Sequence, residues 1–325
     1  MEELFLSVLN MSVTAGYVIV FVILTRLLLK KAPKYISYAL WAVVGFRLVF
    51  PFSFESVLSF LPFRENPIPH TITLDGKVPF ASALDAALHA VGDATNGGIG
   101  TVTVHLGKTA DGYPITTEAY HSQVWLIFGS YVWIIGIAVL MFYSILSIVL
   151  LKRQLKGAMI FEDNIFEVRN LKTPFVLGFF RPKIYIPSGL APEERSYIIL
   201  HEQTHIKRLD HVVKFLAFLI LCIHWFNPLV WLAFIMMSSD MEMSCDEKVL
   251  QKMGSDIKKA YSNSLLSLAM DKRVFNGSSL AFGEGNVKKR IKNVLNYKKP
   301  SLWITVSAVI VLIAVSIGLM ANPGK

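Results

Sequence analysis

Hydrophobic residues in this sequence are gathered into long stretches, and four of these stretches have the length of a membrane span. A helix that crosses the hydrocarbon core of a bilayer needs about 20 predominantly apolar residues. The stretches run over Leu4–Leu29, Tyr35–Phe52, Val124–Leu151 and Leu302–Met320. The pattern therefore predicts four transmembrane helices and a mainly α, polytopic helical membrane protein.

A fifth apolar stretch, Val212–Met237, is interrupted in its middle by the residues from His224 to Pro228. Proline lacks a backbone donor and clashes with the preceding helical turn, so Asn227-Pro228 predicts a break. Arms of roughly 27 Å and 21 Å, at about 1.5 Å per residue, would return the chain to the side from which it entered. We therefore expect an apolar helical hairpin over residues 212–237 and not a single crossing.

The polar region before this hairpin contains strand-like and helix-like patterns. β-branched and aromatic residues at Ile165–Arg169 and Phe175–Pro187 favour two strands, the second punctuated by Gly178 and Pro182. Pro192, followed by two acidic residues, is typical of the start of a helix. A small β-sheet is thus expected within a helical protein.

Composition agrees with a membrane protein, since 54% of the 325 residues are hydrophobic and 17% are charged. Such a balance is too apolar for an ordinary soluble domain. Two cysteines provide no disulfide framework. Glu2 and Glu3 stand where a cleavable signal peptide has positive residues, so the first stretch is expected to stay as an anchor.

The net charge of +9 is concentrated at the ends of the apolar stretches, and this predicts the orientation of the chain. Basic clusters follow the first and third stretches and precede the last one, whereas the segment between the second and third is acidic. The positive-inside rule then places the N-terminus outside and the region before the last span in the cytoplasm. Lysines at the ends of spans favour contact with the lipid bilayer and not direct binding of nucleic acid.

These features divide the chain into five parts. Residues 1–53 hold two transmembrane helices, 54–122 an extracytoplasmic loop, 123–151 the third transmembrane helix, 152–300 a cytoplasmic domain with the hairpin, and 301–325 the last transmembrane helix and a short outer tail.

The strongest chemical signal is the pentapeptide from His201 to His205, which has the pattern H-E-x-x-H. On a helix, a spacing of four residues places both imidazoles on one face, where they can bind one divalent ion. Glu202 then lies close enough to accept a proton from water that such an ion activates. We therefore predict a zinc ion held by His201 and His205, with Glu202 as the general base.

A zinc site that is open for catalysis needs a third protein ligand. The downstream pair Glu242 and Asp246 supplies a candidate, with Glu242 as the predicted ligand. Asp246 lies one turn later on the same face and can orient a ligand imidazole through a hydrogen bond. Asp240 and Glu247 are alternative ligands if the helix has a different phase.

Four further residues receive more ordinary interpretations. Asp210 suits a helix end or a salt bridge, with orientation of His205 as the alternative. Cys245 is typical of a small buried hydrophobic residue. Arg47 is expected to extend towards the membrane interface, and His224, at the tip of the hairpin, to have a structural role.

Taken together, these residues resemble the membrane metallopeptidase family of the beta-lactam sensor-transducers, BlaR/MecR and relatives. The resemblance covers most of the chain. The matching segments are Arg47–Ser53, Thr173–Gly178, Arg181–Pro187, His201–Arg208, Glu242–Asp246 and Lys289–Ile291. The resemblance implies a gluzincin-type zinc peptidase domain in the cytoplasm of a bacterial cell. It also implies site-specific proteolysis, including self-cleavage, that relieves a DNA-bound repressor.

The sequence departs from the sensor members of that family in one respect. Those members carry a penicillin-binding domain outside the cell after the last span, whereas this sequence stops at Lys325. We expect either a relative without a sensor or a truncated chain, and sensing of beta-lactams by this polypeptide is not supported.

We therefore expect an integral membrane zinc endopeptidase that acts in signal transduction on itself, on a cytosolic transcriptional repressor, or on both. Self-cleavage is predicted between Gly277 and Gly285, around Leu280, Ala281 and Phe282, because the glycines and serines there lower the cost of an extended conformation. An ordinary surface linker is the alternative for this segment.

Two other classes of function remain open. A non-catalytic signalling or scaffold protein with a structural metal site would have no need of Glu202. A transporter would require polar residues distributed through its spans, and these are nearly all apolar. The expected partners are the lipid bilayer and a protein or peptide substrate that adds a strand near Phe175–Phe179, and a homodimer is left open.

Overall fold

The structure is a computed structural model, and its helices dominate. It describes residues 1–50, 54–56, 117–169, 171, 173–254, 256–270 and 287–323. The helices are α1 (Glu2–Leu28), α2 (Lys34–Val49), α3 (Thr117–Gln154), α4 (Pro192–Lys207), α5 (Asp210–Ile223), α6 (Pro228–Met253), α7 (Lys258–Met270), α8 (Val287–Asn296) and α9 (Leu302–Met320). Most of the loop 54–122 and the predicted self-cleavage residues Leu280, Ala281 and Phe282 lie outside the described residues.

Among the described residues, three helices are long and apolar enough to cross a membrane. They are α1, the segment Trp125–Gly157 that contains most of α3, and α9. Helix α2 packs along α1 but has 16 residues, fewer than the roughly 20 of a typical crossing. A membrane crossing by the second apolar stretch therefore stays a prediction.

An apolar core lies between α1, α2, α5 and α6. Fully buried side chains from all four helices meet there, among them Ala15, Ile19, Leu40, Leu221 and Met241. Helix α3, by contrast, turns large apolar side chains outwards, as a helix in contact with lipid does. Ile135, Val139 and Phe142 are each at least 60% exposed.

The fifth apolar stretch is divided into α5 and α6 by a short connection at Asn227. The Asn227 side chain accepts a hydrogen bond from the backbone of Leu229 at 2.9 Å and so caps α6. Its amide also donates to the backbone and hydroxyl oxygens of Ser12 at 3.0 and 2.9 Å, which ties the connection to α1. His224, which is buried, lies 3.0 Å from the carbonyl of Leu48 at the end of α2. The Asn227 side chain and Nε2 of His224 thus have partners on neighbouring helices, whereas Nδ1 of His224 has no hydrogen-bond partner in the described part of the chain.

A four-stranded sheet precedes the motif helix. Its strands are β2 (Met159–Glu162), β3 (Ile165–Val168), β4 (Phe175–Leu177) and β5 (Lys183–Pro187), in the order β2-β3-β5-β4. β3 and β5 are parallel, and each edge strand is antiparallel to its neighbour. A separate parallel pair joins β1 (Phe54–Ser56) to β6 (Ala321–Pro323).

The sequence predicted one strand where the sheet has two. The stretch Phe175–Pro187 is divided at Gly178, whose φ of +117° lies in a region that side-chain-bearing residues avoid. A Cβ at this position would stand 2.6 Å from the carbonyl oxygen of Arg181. The tight reversal makes β4 an edge strand, and it places that edge beside α4.

Arg47 does not extend to the membrane interface as expected. It is only 5% exposed, and its Nε donates to the carbonyl of Leu319 near the end of α9 at 2.8 Å. The last carbonyls of a helix have no partner within the helix, so a buried guanidinium can satisfy one of them. The expectation was therefore wrong, because a polar group of α9 within reach replaces water as the partner.

Candidate metal centre

Two helices supply the predicted metal ligands. Helix α4 begins at Pro192, as predicted, and carries His201 and His205 one turn apart on its buried face. Helix α6 passes beside it and presents Glu242 to the same point. Since α6 starts at the break after Asn227, the ligand at residue 242 lies on the same side of the fold as the histidines.

The donor atoms of these three residues converge. Nε2 of His201 lies 3.1 Å from Nε2 of His205 and 3.3 Å from Oε2 of Glu242. Nε2 of His205 is 3.8 Å from Oε1 of Glu242, and the ligand atoms all lie within 4.8 Å of one another. Two imidazole nitrogens and a carboxylate oxygen are the donors of a catalytic zinc site, and such a site leaves a fourth position open. The donor set therefore fits zinc.

Each histidine is held from behind through its Nδ1 atom. Nδ1 of His205 lies 2.8 Å from Oδ2 of Asp210, which is the alternative role considered for that residue. Nδ1 of His201 lies 3.1 Å from the hydroxyl of Tyr261 and 3.3 Å from Oδ1 of Asp246. Because Nδ1 of each ring faces these partners, Nε2 of each is directed to the common point.

The position of Asp210 depends on a sharp turn between α4 and α5. Leu209 has φ of +58° and ψ of +29°, a left-handed conformation that is uncommon for a residue with a side chain. This conformation ends α4 immediately after the motif and starts α5 at Asp210. The carboxylate at the first residue of α5 is thereby turned back towards His205.

Arg290 of α8 closes the site from another side. Its guanidinium donates to both oxygens of Asp246, at 2.9 Å from Nε and 2.8 Å from Nη2. Nη1 lies 3.2 Å from Oε2 of Glu242, and Nη2 lies 3.4 Å from Nε2 of His201. One arginine therefore contacts the candidate ligand of α6, its neighbouring carboxylate and a histidine of α4.

Tyr261 and Arg290 were not predicted as site residues. The hydroxyl of Tyr261 donates to Oδ1 of Asp246 at 2.7 Å as well as meeting His201, and it lies in a helix with no distinctive motif. Arg290 belongs to the segment Lys289–Ile291 that carried part of the family resemblance. The family resemblance could have indicated that Arg290 belongs to the site. The basic residues before the last span were interpreted as contacts with the membrane instead.

The electrostatics of the site separate its carboxyl groups. Burial raises the pKa of Glu202 against the opposing effect of the two histidines. Burial also opposes ionisation of Glu242 and Asp246, but the charge of Arg290, together with interactions with the histidines, outweighs it and lowers the pKa of both carboxyl groups. For His201, burial alone would lower the pKa, but hydrogen bonds with Asp246 and Glu242 raise it. Glu242 and Asp246 are thus ionised at neutral pH, and Glu202 is the carboxyl most ready to take up a proton.

The alternative ligands on α6 are engaged elsewhere. Asp240 accepts two hydrogen bonds of 2.6 Å from Arg26 and one of 3.0 Å from Nε1 of Trp41. Glu247 accepts a 2.9 Å hydrogen bond from the backbone of Lys34. The phase of α6 therefore directs residue 242 to the histidines and residues 240 and 247 to α1 and α2.

Cys245 is fully buried, as expected, but it also has polar contacts. Its Sγ lies 3.4 Å from Nδ1 of His205 and 3.5 Å from Oδ2 of Asp210. Nη1 of Arg208 lies 3.5 Å from the same sulfur atom. The thiol thus fills the space behind His205 between two charged groups.

A cleft opens over the converging donor atoms. Glu202 lines it together with the two histidines, and the edge strand β4 contributes Phe175 and Val176. The cleft therefore brings a buried carboxyl group and an available strand edge to the candidate metal position.

Comparison with known proteins identifies the family. The sequence pattern described as BlaR1 peptidase M56 matches residues 6–294. The regulatory protein BlaR1 of Bacillus licheniformis is 27% identical over 218 residues, which cover 59% of this chain and 36% of that protein. The methicillin resistance mecR1 protein of Staphylococcus aureus is 31% identical over 137 residues, which cover 39% of this chain and 23% of that protein.

The chain thus matches about a third or less of the length of these relatives. The family match nevertheless extends over nearly the whole chain, including α1, the sheet, the motif helix and α8. The resemblance inferred from the motifs is confirmed. The chain is a membrane protein with at least three apolar helices long enough to cross a bilayer. It belongs to the BlaR1 peptidase M56 family of metallopeptidases.

Proposed function

We propose that this chain is a zinc endopeptidase of the cytoplasmic membrane that performs site-specific proteolysis in signal transduction. The observation that carries the proposal is the convergence of His201, His205 and Glu242 beside the buried carboxyl of Glu202. A purely structural zinc site is closed by four protein ligands and needs no adjacent base. Three ligands in an open cleft support catalysis instead.

Each side chain has a definite task in this proposal. Zinc, when bound, supplies Lewis-acid polarisation of a peptide carbonyl and lowers the pKa of water. Glu202 accepts a proton from the attacking water and then passes it to the departing amine. Asp210 and Asp246 fix the rings of the two histidines, and Arg290 keeps Glu242 and Asp246 ionised in position.

The substrate is proposed to bind in extended form along β4. In the described sheet β4 pairs with β5 on one side, which leaves its other edge at the cleft. Backbone hydrogen bonds to that edge would hold a peptide regardless of its sequence, while Phe175 and Val176 offer apolar contact. A segment with several glycines would adopt this extended form at little steric cost.

The physiological substrates we propose are the chain itself and a cytosolic repressor. The relatives are named as a regulatory protein and a methicillin resistance protein, which supports a regulatory role. Within this chain the segment around Leu280, Ala281 and Phe282 is the proposed point of self-cleavage, since its composition suits an extended conformation. The peptidase domain is proposed to face the cytoplasm, on the charge distribution of the sequence.

The test is Glu202→Gln, which removes the base but leaves all three ligands. We expect zinc content to be unchanged and cleavage of the chain, or of co-expressed repressors, to fall by about 100- to 10,000-fold. Glu193→Gln, on the exposed first turn of the same helix, is the matched control and should cleave normally. Metal analysis and mass spectrometry of fragments decide the matter, and equal fragment yields from Glu202→Gln and wild type would refute the role of Glu202.

A further inference from the structure

A second concave surface lies apart from the metal centre, where the end of α6, the start of α7 and the chain between α8 and α9 meet. It has a volume of ≈ 800 Å³, and we call it the lysine pocket because five lysines line it. They are Lys248, Lys252, Lys258, Lys298 and Lys299. None of the residues that the structure describes as lining it is acidic. The pocket is therefore strongly positive.

The lysine pocket lies at the level where apolar helices begin. Pro300 lines it, and α9 starts two residues later at Leu302. Leu302 and Trp303 are 82% and 85% exposed, as residues in contact with lipid are. On the other side, Glu247 is the residue before Lys248 of the pocket. Glu247 accepts a hydrogen bond from the backbone of Lys34, the first residue of α2. Both landmarks place the pocket at one surface of the membrane.

The charges in the lysine pocket are only partly compensated. Lys258 donates to the carbonyl of Tyr297 at 2.6 Å, and this fixes one wall. In the described part of the chain, Lys252, Lys298 and Lys299 have no ion-pair partner. Like charges gathered in a concave surface repel one another, and an anion between them would relieve that repulsion.

We propose that the lysine pocket binds the phosphate headgroup of an anionic phospholipid from the surrounding bilayer. The phosphodiester would contact the three uncompensated lysines, and the acyl chains would lie along the exposed start of α9 at Leu302 and Trp303. Basic pockets between helices at a membrane surface favour anionic headgroups for this reason. A soluble phosphate would satisfy the lysines but would gain nothing from the adjacent apolar surface.

The experiment titrates the full chain, purified and delipidated in detergent, with phosphatidylglycerol and separately with phosphatidylcholine. Bound lipid is counted by native mass spectrometry. The test variant is Lys252→Gln/Lys298→Gln, which spares Lys258 and its hydrogen bond. The control is Lys152→Gln/Lys156→Gln, which removes the same charge at the end of α3, outside the pocket. A third arm adds inorganic phosphate in excess.

We expect wild type and control to retain phosphatidylglycerol in preference to phosphatidylcholine. The pocket variant should bind phosphatidylglycerol about 25-fold more weakly, at about fivefold per lysine. Its zinc content should equal that of wild type, which excludes misfolding as the cause. Equal losses in the pocket and control variants, equal binding of the two lipids, or displacement of the lipid by inorganic phosphate would each overturn the proposal.

Discussion

Helix α6 carries two buried aspartates that each pair with an arginine but connect the helix to different parts of the molecule. Asp240 and Asp246 are both 0% exposed, and each accepts two hydrogen bonds from one arginine. Asp240 pairs with Arg26 of α1 and accepts a third hydrogen bond from Trp41 of α2. Asp246 instead shares Arg290 with the candidate metal ligands.

The difference shows what decides the role of a buried carboxylate in this protein. Asp240 joins α6 to α1 and α2, whereas Asp246 joins it to Tyr261, His201 and α8. Six positions separate them, so they occupy different faces of one helix. Both aspartates form an ion pair with arginine, so the ion pair itself does not distinguish them. What differs is that Arg290, the partner of Asp246, also contacts Glu242 and His201.

The largest effect is expected from Asp246→Ala. Removing this carboxylate deprives the partly buried Arg290 of its two-bond partner and leaves it only Glu242, which should cost about 3–5 kcal/mol of unfolding free energy. His201 also loses an orienting group, so zinc affinity should fall by about 10- to 100-fold. Thermal unfolding in detergent and competition with a chelator measure the two effects.

Asp240→Ala is the matched change at the other ion pair. It should destabilise the chain by a similar amount, about 3–5 kcal/mol. Zinc affinity of the folded protein should stay at the wild-type value, because no atom of Asp240 meets a candidate ligand. A loss of zinc equal to that of Asp246→Ala would end the distinction between the two aspartates.

Replacing each pair by apolar residues sharpens the comparison. A buried ion pair exchanged for hydrophobic side chains of similar volume is often neutral in stability. We expect Arg26→Met/Asp240→Leu to recover most of the stability that Asp240→Ala loses and to remain proteolytically active. Arg290→Met/Asp246→Leu should recover stability but not zinc binding. Activity in the second double variant would show that the pair near the metal is dispensable.

Tyr261→Phe has a smaller expected effect. It deletes one hydroxyl shared by His201 and Asp246, a loss of about 1 kcal/mol in unfolding free energy. Zinc affinity should decrease, but less than in Asp246→Ala, since the carboxylate remains. Trp41→Phe removes the corresponding donor to Asp240 and should leave zinc affinity unchanged. A greater zinc loss from Trp41→Phe than from Tyr261→Phe would contradict the assignment.

Cys245→Ala should have the smallest effect. The change removes only Sγ, whose contacts with His205 and Asp210 are 3.4 and 3.5 Å long. A loss of about 1 kcal/mol in stability is expected, with zinc binding retained. Loss of metal on this substitution would mean that the thiol, and not Asp210, orients His205.

The candidate ligands could be predicted because the information is local. His201, Glu202 and His205 lie within two turns of one helix, and the break at Asn227 explained how Glu242 could return to them. The first residues of α4 and α6, Pro192 and Pro228, could be predicted for the same reason, since proline marks the first turn of a helix.

Asp246 and, as an alternative, Asp210 were considered as partners of the histidines, but the arginine partners of Asp240 and Asp246 could not be predicted, because they are distant in sequence. Arg290 is 44 residues from Asp246, and Arg26 is 214 residues from Asp240. A basic residue near a span end has the same local pattern whether it meets lipid, a carbonyl or a carboxylate. Strand β2 was missed too, since its four residues are all exposed and carry no alternation.

The 214-residue separation of Arg26 and Asp240 has a consequence for biosynthesis. At roughly 5–20 residues per second, the ribosome reaches Asp240 about 10 to 40 seconds after it has passed Arg26. During this interval α1 is complete, and its arginine must stay near the lipid headgroups, as long basic side chains at helix ends do. The ion pair can form only when the newly made hairpin arrives beside α1 and displaces those headgroups. The joining of α1 to α6 and the arrival of the Glu242-bearing helix are therefore one late event in the life of the nascent chain.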